Sequence, residues 1–286
     1  MRKNKLSVIG AMAIFGTIGL IRRHIGLPSS FIALARAVIG AAFLLGILAL
    51  RRRKPDFGGI RKNASALLLS GIFLGFNWVF LFESYRCTTV ATATLCYYMA
   101  PVLVILASPI LKEKLTPRKL LCVGAAIAGI VLVSGVAEGG VGGGNPAGIL
   151  FGLAAAVFYA CVMLLNKKIH LDSAYDKTIV QLLAAAAVLV PYVLLTEDVG
   201  SIAFTPLSLG LLVTAGIVHT GIAYALYFGA MGNLPAQTVA LYSYIDPVLA
   251  IVLSAVLLSE PMTLWTALGA ALILGAAFFG ERQKNA

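Results

Sequence analysis

The chain has 286 residues, 60% of them hydrophobic and only 12% charged, whereas a soluble domain carries about a quarter charged residues. Its mean hydropathy is +0.97, which excludes a water-soluble fold. The net charge of +11, from 22 Lys+Arg against 11 Asp+Glu, would suggest a nucleic-acid partner in a soluble protein, but here the basic residues flank apolar segments and no nucleic acid is expected.

Met1-Arg2-Lys3-Asn4-Lys5 before an apolar run imitates a signal peptide. No A-x-A-like site follows, and Arg22-Arg23-His24 does, so the run near 5–22 is expected to remain as a first helix. Further apolar runs lie near 29–50, 64–85, 88–111, 119–136, 147–166, 177–195, 207–230, 235–258 and 263–281. At about 20 residues per span, ten spans leave short loops and no room for a soluble domain. The expectation is an all-α integral membrane protein of ten transmembrane helices. A Gly-rich link over 139–146 divides the chain into a unit over 1–138 and a unit over 147–286. The four cysteines are scattered without a CxxC pair and are expected to be buried apolar thiols.

Lys and Arg set the orientation. With a cytoplasmic N-terminus, 18 of the 22 basic residues fall on the inner side and only Arg22, Arg23 and Arg86 on the outer side, with Arg36 inside a span. Both termini are therefore expected in the cytoplasm, with the chain in a bacterial-type inner membrane.

The two halves resemble one another. Gly75-Phe-Asn-Trp-Val-Phe-Leu-Phe82 lies over Gly221-Ile-Ala-Tyr-Ala-Leu-Tyr-Phe228, and Tyr98-Met-Ala-Pro-Val-Leu103 over Tyr244-Ile-Asp-Pro-Val-Leu249, at one offset of 146. The matched stretches end in Glu113-Lys-Leu-Thr116 and Glu260-Pro-Met-Thr263. Five spans per half is an odd number, so the repeats are inverted. The charges agree: the Glu113 loop is basic, and the Glu260 loop carries no basic residue. Inverted repeats suit secondary transporters, in which one half rocks against the other around a midplane site.

Two five-span repeats, each with a Tyr-x-x-Pro-Val core and a terminal Glu-x-x-Thr or Glu-Pro-x-Thr, resemble the EamA family of the drug/metabolite transporter superfamily. The resemblance covers nearly the whole chain. It implies a ten-helix alternating-access carrier, often an exporter, with a cavity lined by spans one to four and six to nine. It is almost silent on substrate, since related members move amino acids, amines, nucleosides, vitamins or toxic compounds.

An ionisable residue inside a membrane is a functional hypothesis by default. Asp246 lies about 16 Å into its span when that span starts at Pro235, close to the midplane. Its carboxylate can exchange a proton or pair with a substrate cation; the bland alternative is that it satisfies the helix broken by Pro247. Tyr242, four residues earlier, shares its helix face. His219 lies about 18 Å into its span and either joins proton coupling or is a neutral imidazole bonded to a neighbouring helix. Tyr97, Tyr98, Tyr244, Asn77 and Trp78 complete the expected substrate-binding wall. Midplane aromatics can hold a flat or cationic ligand, although some of them simply pack.

Arg36, about 10 Å from the outer surface, either snorkels outward or faces the cavity as an anion contact. Glu83 and Arg86 read as an interfacial pair, and Glu113 and Glu260 as ties between helix ends and neighbouring backbone. Gly124-x-x-x-Ala128 and Ala271-x-x-x-Gly275 permit close helix approach, within the chain or, less favoured, in a dimer.

Three histidines without ligand spacing make a metal site unexpected. No catalytic motif or phosphate loop appears, so neither enzyme activity nor a cofactor is expected, and transport must draw on an ion or substrate gradient. The reading is a secondary active transporter, an exporter of a small organic metabolite such as an amino acid or amine with proton entry as the leading coupling hypothesis, whose partners are that substrate and the surrounding lipids, as a monomer or homodimer. The rivals are a lipid or lipid-precursor flippase and, less favoured for want of a charged ring or carbonyl filter, a channel.

Overall fold

The computed structural model describes residues 2–107, 116–133, 145–166, 168–171, 173–231, 234 and 242–281. Glu113, most of the Gly-rich link and the expected span start at Pro235 lie outside the described residues. Among the described residues every regular element is helical, as hydrocarbon requires: with no water to bond peptide groups, each segment must satisfy its own backbone.

In chain order the helices are α1 (Arg2–Gly16), α2 (Ile18–His24), α3 (Ser29–Leu50), α4 (Phe57–Lys62), α5 (Ala64–Cys87), α6 (Val90–Tyr97), α7 (Ala100–Leu106), α8 (Pro117–Val133), α9 (Pro146–Asn166), α10 (Ala174–Thr196), α11 (Pro206–Gly216), α12 (Ala223–Met231), α13 (Ile245–Leu257) and α14 (Leu264–Glu281). A π-helical turn, Ile217–Ile222, joins α11 to α12.

Six helical stretches are long and apolar enough to cross a membrane: Arg2–His24, Ser29–Leu50, Ala64–Cys87, Pro146–Asn166, Ala174–Thr196 and Pro206–Tyr227. Four shorter apolar stretches accompany them: Val90–Leu106, Leu120–Val133, Ile245–Leu257 and Leu264–Phe279. Helix starts coincide with side chains able to bond orphan amides. Asp56 accepts from Gly59 N, Thr89 from Thr92 N and Ser173 from Asp176 N. Thr205 and Ser208 form a reciprocal capping box with Pro206 in the first turn.

Helix α5 forms the middle of the bundle and packs on α3, α9 and α10. α1 lies against α12 and α13, and α8 pairs with α14. Side chains cross-link these contacts. Gln181 Nε2 on α10 donates to Ser70 Oγ on α5 and to Asn166 Oδ1 on α9, each at 2.7 Å.

The α8–α14 pair shows where small residues act. A Cβ at Gly129 would stand 2.8 Å from the Gly269 carbonyl oxygen, and one at Gly269 would stand 2.7 Å from the Gly129 carbonyl oxygen. The backbones therefore meet at this crossing. The close approach expected at Gly124 and Gly275 falls elsewhere, since a Cβ at either would meet nothing within 4 Å. The α8 and α14 sequences are apolar on every side, so spacing alone did not mark the contacting face. Gly129→Leu is expected to cost about 1–3 kcal/mol by overpacking, read as a lower Tm in detergent, whereas Gly124→Ala leaves Tm within error. Equal effects at the two positions would contradict the crossing.

Candidate functional site

The site begins with two interrupted helices. Pro lacks an amide hydrogen and its ring clashes with the preceding turn, so a helix that reaches Pro101 or Pro247 yields just before it. The chain turns at Tyr98–Met99 between α6 and α7, and at Tyr244 before α13. Tyr98 (φ −71°, ψ 2°) and Tyr244 (φ −73°, ψ −9°) have nearly the same backbone conformation.

Asp246 stands in the first turn of α13, where a negative charge meets the positive end of the helix dipole. The Tyr98 hydroxyl lies 3.0 Å from Asp246 Oδ2 and 3.2 Å from the Ser243 carbonyl oxygen. Its single proton thus ties the α6–α7 turn to the start of α13. The first helix also approaches here, because a Cβ on Gly16 would stand 2.8 Å from the Asp246 carbonyl oxygen.

The π turn supplies a second group. One extra residue per turn re-aims side chains, and such bulges recur at functional sites. His219 and Thr220 are both buried in it. The His219 ring nitrogen Nε2 is 2.8 Å from Thr17 Oγ1. The Thr17 hydroxyl also lies 2.7 Å from the Ile14 carbonyl oxygen, and the other ring nitrogen, Nδ1, faces the Thr214 carbonyl oxygen at 3.5 Å. The imidazole accordingly links the π turn to the α1–α2 break.

Thr220 Oγ1 donates to the Ala215 carbonyl at 3.1 Å and accepts from Arg36 Nε on α3 at 3.1 Å. Close packing holds α3 against the turn: a Cβ on Gly40 would collide with Thr220 Cγ2, and one on Gly221 with Phe43 Cδ1.

Arg36 does not snorkel. It is 4% exposed, with its guanidinium carbon 4.3 Å from the Trp78 ring centre and 5.3 Å from that of Phe82. Such cation–π contacts are worth about 2 kcal/mol or more once desolvated. Tyr85, also buried, places its hydroxyl 3.3 Å from Thr94 Oγ1. Tyr97 stands against Tyr98 and Tyr159, with ring centres 5.9 and 5.2 Å apart.

The structure brings Trp78, Tyr97, Tyr98 and Asp246 into one neighbourhood with Arg36 and Tyr85. Other expected wall residues point elsewhere. Asn77 donates to the Ala155 carbonyl at 2.7 Å in the α5–α9 contact, and its Oδ1 is buried without a partner. Tyr242 packs with the α1–α12 cluster near Val8 and Met12. The Tyr244 ring stacks edge-on against Phe278 of α14 at 5.6 Å. His219 reaches Thr17 rather than Asp246. Tyr85, Thr17 and Thr220 were not singled out in the sequence. Thr220 adjoins His219 in the sequence, but this adjacency does not reveal a π turn.

A second polar constellation lies at the ends of α2, α5 and α13. Arg23 and Glu260 form an ion pair at 2.8 Å. Arg23 also donates to the Thr88 carbonyl. Glu260 Oε2 accepts from Val90 N at 2.8 Å and from Ser254 Oγ. One carboxylate therefore caps the start of α6, closes the end of α13 and holds α2. A cavity of about 440 Å³ opens beside it, lined in part by Arg86, Thr89 and Asn145. It is separate from the central aromatic cluster.

The model of the EamA-like transporter family matches the chain over residues 4–135 and again over 146–280. The chain is 34% identical over 274 residues to the uncharacterized transporter YxxF of Bacillus subtilis, covering 94% of this chain and 86% of that one. Over 285 residues it is 26% identical to an uncharacterized transporter of Archaeoglobus fulgidus, covering 99% and 98% of the two chains. One crystal structure aligns over 100% of both chains with a TM-score of 0.65 at 22% identity, a likeness of fold alone.

Proposed function

This chain belongs to the EamA-like transporter family and is a multi-pass membrane protein, and from that premise we propose that it is a secondary active transporter that exports a small organic metabolite, an amino acid or amine, by alternating access. The four shorter stretches join the six long ones as ten spans. These form two inverted units either side of the Gly-rich link, a reading supported by the family model's separate match to each half. Both termini then face the cytoplasm of a bacterial-type inner membrane, as the 18-to-3 distribution of basic residues favours.

The observation that carries the reading is the Tyr98–Asp246 contact. It joins one interrupted helix from each half, and interrupted helices place backbone ends and charge at the binding site of secondary transporters. The Asp246 carboxylate holds either a proton or the cationic group of the substrate. Because one site cannot hold both, proton entry drives substrate out. Tyr98 and Tyr97 orient the carboxylate and its ligand, and Trp78 closes the wall beyond Arg36.

Arg23, Glu260 and the start of α6 form the outer gate. With Glu260 bonded at once to Arg23, Val90 N and Ser254, the outer ends of α2, α6 and α13 are held together and the central cluster is shut off from that side. Breaking this constellation lets α6 and α13 separate while the inner ends close.

Two measurements test these assignments. In proteoliposomes loaded with a panel of amino acids and amines, Asp246→Asn is expected to abolish pH-gradient-driven flux at every pH tested. Wild-type flux from the variant would remove Asp246 from the mechanism. Glu260→Gln loses an ion pair and weakens two bonds to a charged group, each worth about 1.5–3 kcal/mol, so the outward-open population should rise about tenfold. The readout is impermeant-maleimide labelling from the outside of Thr94→Cys in a background with the native cysteines replaced by serine. An unchanged labelling rate would mean that the constellation is not a gate.

A further inference from the structure

We propose that Arg36 and Asp246 are the two poles of one binding site whose substrate is a zwitterion, with its anionic group on Arg36 and its cationic group on Asp246. The proposal rests on the central cluster being the transport site and adds the charge pattern that the site selects.

Arg36 has donors to spare. Of its five N–H groups, Nε–H alone is bonded among the described residues, to Thr220. No described carboxylate pairs with it; the ion pairs among the described residues are Arg23–Glu260 and Arg86–Glu83. A buried cation inside a membrane is costly without a counter-charge, and the rings of Trp78 and Phe82 carry no net charge. Thr220 and the two rings fix its plane, leaving the terminal amino groups as a fork that matches a carboxylate.

Asp246 presents the complementary charge. Its described side-chain bond is the one from Tyr98 to Oδ2, so the carboxylate retains acceptor capacity. Arg36 and Asp246 do not pair with each other. Contacts connect the two poles: Arg36 lies on Trp78 and Phe82 of α5, Tyr85 of the same helix reaches Thr94 of α6, and Tyr98, one turn after Thr94, meets Asp246.

This arrangement selects by what it leaves unpaired. A simple amine bound to Asp246 leaves Arg36 without a counter-charge, and a simple acid on Arg36 leaves Asp246 to be neutralised by a proton. Only a molecule with both groups satisfies both poles while Asp246 is ionised. Discrimination of this kind is strong, because the wrong ligand leaves a buried polar group unmatched.

The test uses the full-length protein with matched triads: L-leucine, 3-methylbutylamine and 4-methylpentanoate, and likewise L-phenylalanine, phenethylamine and 3-phenylpropanoate. Ligand-dependent Tm shifts and saturable counterflow are measured for the wild type, Arg36→Gln, Arg36→Lys and Asp246→Asn. In at least one triad the zwitterion should bind the wild type at least about tenfold more tightly than either single-charge analogue. Arg36→Gln should remove the preference over the amine, Asp246→Asn the preference over the acid, and Arg36→Lys, which keeps a cation and guards against misfolding, should restore part of the first. Amine binding equal to that of the amino acid and indifferent to Arg36 overturns the zwitterion assignment while leaving the carrier reading intact. No response to either zwitterion overturns it as well. Flux of the amines that is neither saturable nor dependent on Asp246 would instead defeat the carrier reading.

Discussion

The absence of water from the hydrocarbon core is the constraint on which everything else depends. It forces each peptide group into a helix and removes the hydrophobic drive that would otherwise press helices together. Cohesion must then come from close backbone approach and from polar side chains that find partners. Gly129 and Gly269 show the first, with each backbone standing where the other's Cβ would be. Gln181, which reaches Ser70 and Asn166 together, shows the second. The same constraint makes any break in a helix expensive, so the turns at Tyr98 and Tyr244 and the π turn around His219 and Thr220 concentrate the polar chemistry of the chain.

Charge follows the same logic. Asp246 stands at a helix start, where the dipole favours it, and meets the Tyr98 hydroxyl. Arg36 lies on Trp78 and Phe82 and bonds Thr220. Neither interaction neutralises a unit charge as a salt bridge does. Among the described residues no opposite charge completes either of them, and this is the physical basis of the proposal that the substrate lies between them. At the other level, Arg23 and Glu260 neutralise one another directly, which suits a contact that has only to hold helix ends together and let them go.

Much of the architecture was legible in the sequence. Apolar runs separated by Gly, Pro and charge located the helical stretches, and Pro247 marked the interruption beside Tyr244, whereas the one at Tyr98 falls inside a run read as continuous. The resemblance to the EamA family, carried by the Tyr-x-x-Pro-Val cores, agrees with the family match. What could not be read was which way a side chain faces. In a soluble helix the apolar stripe marks the core, but lipid is as apolar as a helix interface, so the pattern does not separate them. Hence small-residue spacing pointed to Gly124 and Gly275, whereas the contact falls at Gly129 and Gly269. Arg36 stayed open between snorkelling and facing inward, and Tyr244 gave no sign that it turns toward Phe278. Glu260 could be read as a tie between helix end and backbone, but its partners Arg23 and Val90, 237 and 170 residues away, needed the fold. The π turn has no sequence signature of its own.

The central claim is that the two ends of the molecule open in alternation around the Asp246 neighbourhood. Its most direct test is a pair of spin-label distances measured in lipid on the same protein. Labels at Arg86 and Pro261 report the Arg23–Glu260 end, and labels at Leu6 and Phe57 report the opposite end. Breaking the constellation with Glu260→Gln is expected to lengthen the first distance and shorten the second. Two distances that stay fixed, or that lengthen together, would contradict alternating access.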